Sequence, residues 1–384
     1  MKVAMLASTG NACGIAAYTR DLVEALNGLA EVVFEPIEVG KQSEAHYREQ
    51  ADRLNQAEVI HIQHEHSFWG GILPGKSSFW TLRYLLKKPV VITAHTTYSL
   101  AELLRLRQEK RPLHRIAKEI LLRRSGYRDS VDIAPFVTCR CIVHTEAARQ
   151  SLIARGANPQ YVHAIPAGVP EPAPSGASGS SFRLRYQIHK RRVISLFGYV
   201  TPTKGYELVF SILGNLPSDI VLVIAGGPRS EDMLPYEQKL KEIVGHTGLS
   251  DRVIFTGYLS DLEIAEVMEV SEVVIAPHTL ATGSYSVMIP LTYGLPVVAS
   301  DLDVFREIQQ RGNCIELFRS GDPVDFNDKL KKVLKDTARQ EELSRHALAY
   351  AQQHSWPEIA RRTVEVYTQA ILDETRLAHH PTAQ

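Results

Sequence analysis

The feature that most constrains the fold is a series of short, continuous apolar runs that alternate with stretches of helical periodicity. Strands that are buried on both faces of a parallel sheet are apolar throughout, whereas half-exposed strands alternate polar and apolar residues. The runs therefore predict an α/β fold with doubly wound parallel sheets. The predicted strands span residues 3–7, 59–63, 90–94, 141–144, 193–198, 221–226, 253–257, 273–277 and 296–300.

The composition changes at residue 170. Residues 170–181 read PEPAPSGASGSS, which is typical of a linker or long loop, and a second α/β series follows them. A chain of 384 residues also exceeds what a single core ordinarily supports. We predict a Rossmann-like domain over 1–170, a linker over 171–190 and a second Rossmann-like domain over 191–355. A single continuous sheet would have to accommodate the linker in its middle.

Charge and composition exclude several classes of protein. Lys plus Arg and Asp plus Glu both number 43, so the chain lacks the basic excess that is typical of nucleic-acid-binding proteins. A hydrophobic content of 44% argues against a disordered chain. No apolar run reaches the roughly 18 residues of a membrane-spanning helix, and the N-terminal run is too short for a signal peptide. Four sparse cysteines indicate reduced thiols and a cytoplasmic protein.

Ligands of doubly wound sheets bind outside the carboxyl ends of the strands, and the cleft between two such domains is the expected site. In the first domain, STGNACG at 8–14 forms a turn into a helix whose amides favour an anion, although a plain βα turn is the better explanation. Segment 60–66, IHIQHEH, suggests a metal site, but its spacing completes no ligand set. His95 ends a buried strand, where an imidazole is either structural or functional.

Residues 104–128 form a basic segment with nine basic and two acidic residues among apolar ones. A solvated helix face explains such a pattern, and an anionic membrane surface or a phosphate-bearing acceptor is the alternative. We predict that Arg107 and Arg111 of this segment, together with His64 and Glu65, bind the acceptor substrate. Peripheral contact with the inner face of a membrane is part of this expectation.

The second domain holds two candidate loops. FGYVTPTKG at 197–205 places Lys204 at a strand end, where an ammonium can neutralise a diphosphate. PHTLATGSYS at 277–286 precedes an apolar helix and offers hydroxyls and unpaired amides to an anion. Helix capping by Thr282 or Ser284 is the alternative explanation, and it is compatible with phosphate binding.

In this order, the motifs resemble those of the GT-B-fold glycosyltransferases of family 4. The resemblance extends over nearly the whole chain, through CGIAAYT at 13–19, TAH at 93–95, IPAGV at 165–169, residues 198–205, AGG at 225–227, VIFTG at 253–257, YGLPVVASD at 293–301 and SWPEIA at 355–360. The last piece resembles the family's closing helical segment, which implies that residues 356–384 return to the first domain.

The resemblance implies a retaining glycosyltransferase that moves a sugar from a nucleoside diphosphate onto a glycan or lipid-linked acceptor, without a metal or other cofactor. By position, Lys204 would bind the donor diphosphate, and His95 would face the donor sugar from the other domain. The remaining implied donor contacts are Gly14, which would allow close approach of the donor, Tyr199, and the loop Gly257–Tyr258, which would border the base. The backbone of Gly283, Ser284 and Tyr285 would bind the phosphates.

Two departures from the family pattern concern the donor site. The family's pair of glutamates, which seven residues separate, would fall at Ala281 and Ile289, and the arginine expected after Gly198 is Tyr199. Each lost charge-assisted hydrogen bond costs about 1.5–3 kcal/mol. We expect Thr282, Ser284 and Ser286 to substitute for the carboxylates. A non-catalytic GT-B scaffold that binds a nucleotide, glycan or protein is the alternative function, and a sugar-nucleotide epimerase is a third.

Overall fold

The computed structural model describes residues 1–9, 14–40, 42–70, 77–97, 135–172, 178–228, 230–281 and 285–379. The chain divides into two compact units. Unit 1 comprises Met1–Ala167 and Trp356–Gln384, and unit 2 comprises Gly168–Ser355. Each unit contains one six-stranded sheet in which all strands are parallel. The predicted α/β class with two doubly wound sheets is therefore confirmed.

The sheet of unit 1 has the strand order β2-β1-β3-β4-β5-β6. Its strands are β1 Lys2–Ala7, β2 Glu31–Pro36, β3 Val59–His64, β4 Val90–Ala94, β5 Arg140–Val143 and β6 Val162–Ala164. Its helices are Gly14–Ala25, Glu44–Leu54, Phe79–Arg83, Glu146–Ala154 and Trp356–His379, with a 3₁₀ turn at His66–Trp69.

Two strands of unit 1, β2 and β6, were not predicted from the sequence. Strand β2 lies at the edge of the sheet and most of its residues are exposed, so it has no continuous buried run. Strand β6 has three residues. Both lack the burial on two faces that makes a strand visible as an apolar segment.

The C-terminal helix Trp356–His379 belongs to unit 1. Its Tyr367 is fully buried, and the Tyr367 hydroxyl lies 2.6 Å from His61 Nδ1 of β3. Its Asp373 accepts a hydrogen bond of 2.9 Å from Arg140 Nε of β5. The helix is thus joined to the sheet by polar contacts as well as by apolar packing. No helix in the described part of the chain is both long and apolar enough to cross a bilayer.

The sheet of unit 2 has the strand order β12-β11-β10-β7-β8-β9. Its strands are β7 Arg192–Phe197, β8 Ile220–Ala225, β9 Val253–Phe255, β10 Ser271–Ala276, β11 Val297–Ser300 and β12 Ile315–Phe318. Its helices are Gly179–Arg185, Tyr206–Leu213, Leu234–His246, Asp261–Val270, Tyr285–Thr292, Asp303–Gly312, Pro323–Lys335 and Thr337–Gln353, with 3₁₀ turns at Pro202–Lys204 and Glu231–Met233.

The segment 171–190 differs from the linker that its composition predicts. Residues Gly179–Arg185 form a helix, and Phe182 of this helix is fully buried in the core of unit 2. The Gly179 amide donates a hydrogen bond of 2.8 Å to the Glu269 carboxylate. Phe182 and Ile188, both buried in this core, thus hold a Ser-rich and Arg-rich segment against the unit.

Candidate functional site

The carboxyl ends of β7 and β10 form a switch point in the sheet of unit 2. These two strands are neighbours, and the strands that follow them, β8 and β11, lie on opposite sides of the pair. Doubly wound sheets bind ligands at such a point because the loops diverge there and leave a crevice. The two loops that the sequence singles out, 197–205 and 277–286, follow these two strands.

Lys204 lies at this switch point. The turn Pro202–Lys204 ends at Gly205, which begins the helix Tyr206–Leu213. Lys204 Nζ donates a hydrogen bond of 2.8 Å to Ser286 Oγ, in the first turn of the helix Tyr285–Thr292. Within the part of the chain that the structure describes, Lys204 has no carboxylate within ion-pair distance. A half-buried ammonium without a counter-ion is suited to bind an anion.

Three glycines bring the loops together around Lys204. A Cβ atom on Gly198 would lie 3.0 Å from Lys204 Nζ and 3.1 Å from Ser286 Cβ. A Cβ atom on Gly205, whose φ is +75°, would lie 2.0 Å from the Pro277 carbonyl oxygen. A Cβ atom on Gly226 would lie 2.3 Å from the Gly198 carbonyl oxygen. Gly205 and Gly226 require glycine because the nearest atoms belong to the backbone, which cannot move aside. At Gly198 the neighbours are side-chain atoms, and the φ of +117° is what disfavours any other residue.

Tyr258 follows β9 and lies at the same carboxyl edge of the sheet of unit 2. Its ring packs against Gly227, and its hydroxyl donates a hydrogen bond to the Pro228 carbonyl. The ring is 61% exposed, and its centroid lies 6.5 Å from that of Tyr199. Gly257 has a φ of +73°, which lets the chain turn at this point. The predicted donor residues Tyr199, Gly257 and Tyr258 therefore lie together at the ends of β7 and β9.

The positions of the two missing glutamates are apolar in their surroundings as well as in their side chains. Ala281 and Ile289 are partly buried and pack against the core of unit 2. Of the proposed substitutes, Ser286 contacts Lys204, whereas Thr282, Gly283 and Ser284 lie outside the described residues. For Tyr285, the backbone begins the helix. Arg107 and Arg111 also lie outside the described residues.

Burial shapes the electrostatics of the Lys204 site. Loss of solvation lowers the pKa of Lys204 from 10.5 to about 8. The pKa of His278, buried nearby, is held well below 6.5, first by burial and then by the positive charge of Lys204. His278 is therefore neutral at pH 7, and Lys204 supplies the positive charge of this pair.

The lowered pKa of Lys204 predicts a pH dependence of anion binding. Below about pH 8 the ammonium is already present, so the affinity for a diphosphate is constant. Above this pH the free protein must take up a proton on binding, so the affinity falls by up to about tenfold per pH unit. Calorimetry with a nucleoside diphosphate between pH 6.5 and 9.5 would measure this. The Lys204→Met variant is the control, and a wild-type profile as flat as that of the variant would contradict the prediction.

In unit 1, His95 follows β4 and takes part in a chain of hydrogen bonds. His95 Nε2 lies 2.8 Å from Gln63 Oε1, and His95 Nδ1 lies 3.3 Å from His144 Nε2. Tyr18 packs its ring against both imidazoles, with centroids 5.1 Å from His95 and 5.0 Å from His144. Burial, followed by the effect of His144, keeps the pKa of His95 well below 6.5. His95 is thus a neutral, half-buried imidazole at the carboxyl edge of the sheet.

Sequence reasoning missed the partners of His95. Gln63 and His61 are fully buried on β3, and His61 Nε2 lies 2.7 Å from the Thr93 hydroxyl on β4. His144 directly follows β5. The sequence does contain one indication of this arrangement. In IHIQHEH, His61 and Gln63 are two positions apart, which places both side chains on the same face of the strand.

The other predicted residues of unit 1 have different surroundings. His64 lies inside the core, with its ring centroid 5.0 Å from Phe79 and 5.2 Å from Phe136, and this burial argues against the predicted acceptor contact. Glu65 lies at the strand end and accepts a hydrogen bond from the Thr96 hydroxyl. Gly14 begins the first helix, and a Cβ atom there would meet none of the described residues within 4 Å. Among the residues that the structure describes, no group of three His, Cys, Asp or Glu side chains could hold a metal.

Two family models match the chain. Residues 183–352 match the model described as glycosyl transferases group 1, and residues 32–171 match the model described as glycosyltransferase family 4. The two matches follow one another and together cover most of the sequence.

Curated relatives and solved structures are consistent with these matches. The chain is 27% identical to a D-inositol 3-phosphate glycosyltransferase of Xylanimonas cellulosilytica over 56% of this chain and 53% of that protein. It is 26% identical to the protein of the same name from Streptosporangium roseum, over 79% of this chain and 68% of that protein. A crystal structure of Anabaena Alr3699/HepE in complex with UDP-glucose matches 96% of this chain and 100% of that one, with a TM-score of 0.73 and 17% identity, which shows the fold.

Proposed function

Because the chain belongs to the group 1 glycosyltransferases of family 4, with their two-domain GT-B fold, we propose that it transfers a sugar from a nucleoside diphosphate to an acceptor with retention of configuration. The proposed reaction breaks the bond between the anomeric carbon and the diphosphate oxygen, and forms a bond from that carbon to an acceptor hydroxyl. The hydroxyl proton leaves, and the nucleoside diphosphate departs with the bonding electrons.

The observation that carries the proposal is the Lys204 site. An ammonium without a carboxylate partner in the described structure, beside a hydroxyl and close-packed glycines at a sheet switch point, is suited to a diphosphate. Lys204 would stabilise the charge that develops on the leaving group, so the proposed mechanism requires no metal. Tyr258 supplies exposed aromatic surface after β9, with the half-buried Tyr199 next to it, and we place the base of the nucleotide there.

We propose a hydroxylated, phosphorylated or lipid-linked acceptor, in the assembly of a polysaccharide or glycoconjugate. Two observations support this proposal. The curated relatives are named for D-inositol 3-phosphate, and the segment 104–128 carries nine basic residues against two acidic ones. We assign acceptor binding to unit 1.

The test is a panel of UDP, GDP, ADP and dTDP sugars. Calorimetry identifies the donor, and NMR of the product formed with an inositol phosphate or a lipid-linked glycan gives the anomeric configuration. Binding of one nucleotide class and a product with the anomeric configuration of the donor are expected. A product of opposite configuration would overturn the retaining mechanism.

A non-catalytic nucleotide or glycan binder is the second candidate. It is favoured by the apolar side chains at Ala281 and Ile289, which pack against the core of unit 2 and cannot accept a hydrogen bond from a sugar or ribose hydroxyl as the family's glutamates would. Such a protein would bind a nucleotide or a glycan in the panel and yield no product with any acceptor.

Replacement of His95 by alanine is expected to lower kcat by roughly 100-fold and to change the donor Kd by less than about threefold. The reason is that we assign His95 to the transfer step and Lys204 to the diphosphate. Rapid-quench kinetics and calorimetry would separate the two effects. His163→Ala is the control, since His163 is also a partly buried imidazole of unit 1, bound to Arg140. An equal loss of Tm and activity in both variants would contradict the role of His95.

A further inference from the structure

The inference concerns strand β2, Glu31–Pro36, which forms one edge of the sheet of unit 1. In the described part of the chain, β2 pairs with β1 alone. Val33 and Phe34 at its centre are 44% and 42% exposed, and their side chains project to opposite faces of the sheet. An open strand edge with exposed apolar residues on both faces is a template for pairing with a further strand.

The hydrogen bonds to β1 show which backbone groups face the open edge. The Glu31 amide donates a hydrogen bond of 2.9 Å to the Met1 carbonyl, and the Ile37 amide donates one of 2.8 Å to the last residue of β1. Because these directions alternate along a strand, the odd-numbered residues face β1, and the amides and carbonyls of Val32 and Phe34 face outward. Among the described residues, these two amides have no backbone acceptor.

The two ends of the strand limit how far this edge can pair. Pro36 has no N–H, and the Ala30 amide already donates a hydrogen bond of 3.0 Å to the Leu26 carbonyl. Proline at an outward position is typical of edge strands, because no hydrogen bond to the neighbouring strand is lost there. Within residues 30–36, the outward amides that remain available are therefore those of Val32 and Phe34.

We propose that β2 pairs in antiparallel orientation with β2 of a second copy of this chain, so that two sheets of unit 1 become one continuous sheet. A two-fold axis at Val33 places Val33 opposite itself and Val32 opposite Phe34 of the second copy. The two outward residues of each copy then exchange amide and carbonyl hydrogen bonds, four in all. Ala30 faces Pro36, and neither of them has an available amide. This assembly does not depend on the proposed sugar transfer.

Side-chain pairing selects this register. An axis at Val32 or at Phe34 would use the same two amides, but it would place Val33 opposite Glu31 or Glu35. With the axis at Val33, the two valines meet at a position without hydrogen bonds, where opposite Cα atoms are about 4.5 Å apart. On the other face, Val32 packs against Phe34. Each copy thus covers its exposed apolar side chains with those of the other.

The charges beside the edge are compatible with this pairing. The register places Glu31 opposite Glu35 of the second copy, and each of these carboxylates has a cation of its own chain. Lys2 Nζ lies 3.6 Å from Glu31 Oε1, and the Arg53 guanidinium donates hydrogen bonds of 2.6–3.2 Å to Glu35. Lys2 and Arg53 therefore neutralise the carboxylates that meet, and Arg53 is brought toward Glu31 of the other copy.

Analytical ultracentrifugation of the full-length chain tests the assembly. We expect a reversible dimer for the wild type. Val33→Glu places two further carboxylates face to face at the two-fold axis, and we expect it to raise the dimer Kd by about 100-fold or more. Val324→Glu is the matched control, because it adds the same charge at another exposed valine, in unit 2, and should dimerise like the wild type. Equal masses of the wild type and Val33→Glu at every concentration would overturn the proposal.

Cysteine cross-linking tests the register. Val33→Cys is expected to give a disulfide-linked dimer under mild oxidation, because its two Cα atoms lie within the range of roughly 4.4–6.8 Å that a disulfide spans. Phe34→Cys is the control on the same edge, since an offset of two residues places its Cα atoms more than about 7 Å apart. The wild type, with its own four cysteines, gives the background. Absence of the cross-link in Val33→Cys, or equal cross-linking of Phe34→Cys, would overturn the proposal.

Discussion

Replacement of Lys204 by methionine is expected to weaken the binding of a nucleoside diphosphate by about 100-fold and to leave unit 2 folded. Methionine keeps most of the length of the aliphatic stem and removes the charge. A charge-assisted hydrogen bond contributes about 1.5–3 kcal/mol, and about 2.8 kcal/mol corresponds to a 100-fold change in Kd. Because burial already disfavours the ammonium, the variant should unfold at the same temperature as the wild type or at a higher one. Calorimetry and thermal unfolding would measure the two effects.

The control for Lys204 is Lys239→Met in the same unit. Lys239 Nζ lies 3.3 Å from the Glu207 carboxylate and is well exposed, so its ion pair contributes little to stability. We expect wild-type nucleotide affinity in this variant. If Lys204→Met binds the nucleotide as tightly as Lys239→Met does, Lys204 does not bind the diphosphate.

Replacement of Gly205 by alanine is expected to lower the free energy of unfolding of unit 2 by about 3 kcal/mol or more and to abolish nucleotide binding. The new Cβ would lie 2.0 Å from the Pro277 carbonyl oxygen, and the left-handed φ of +75° is unfavourable for alanine. Relief requires the loops after β7 and β10 to separate, which would also move Lys204 away from Ser286. Urea denaturation of the full chain and calorimetry would measure both effects.

Gly248→Ala separates the two causes in this prediction. Gly248 has nearly the same φ, +68°, but a Cβ atom there would meet no atom of the described residues within 4 Å. This control carries the conformational cost alone, which is about 1 kcal/mol. Equal destabilisation by the two alanines would show that the Pro277 contact contributes nothing and would contradict the prediction for Gly205.

The fold was predictable where strands are buried on both faces. Runs such as β8, in which every side chain is buried, appear in the sequence as uninterrupted apolar segments. Strand β12 was not predicted because Glu316 interrupts its four residues. In the structure this carboxylate is buried and accepts hydrogen bonds from Lys329 and Arg339. The residues next to an acidic residue in a short strand do not show which basic residues will neutralise its charge.

The positions of the loops that form the candidate site could be predicted from the sequence, but most of the hydrogen bonds between their side chains could not. Lys204 and His95 follow predicted strands, so their place at the sheet edges could be inferred from the strand pattern. The bond from Lys204 to Ser286 joins residues 82 positions apart, and the bond from His61 to Tyr367 joins residues 306 apart. Such pairs depend on tertiary packing, which no local pattern contains.

The division of unit 1 between the two ends of the chain has a consequence for biosynthesis. Unit 2 is continuous from Gly168 to Ser355, so all of its strands emerge from the ribosome in one stretch. Unit 1 needs the helix Trp356–His379, whose Tyr367 and Asp373 bind His61 and Arg140. The first-translated part of unit 1 can therefore complete its packing only after the last-translated part has been made. Until then the sheet surface that this helix covers is exposed, and such surface is what chaperones bind.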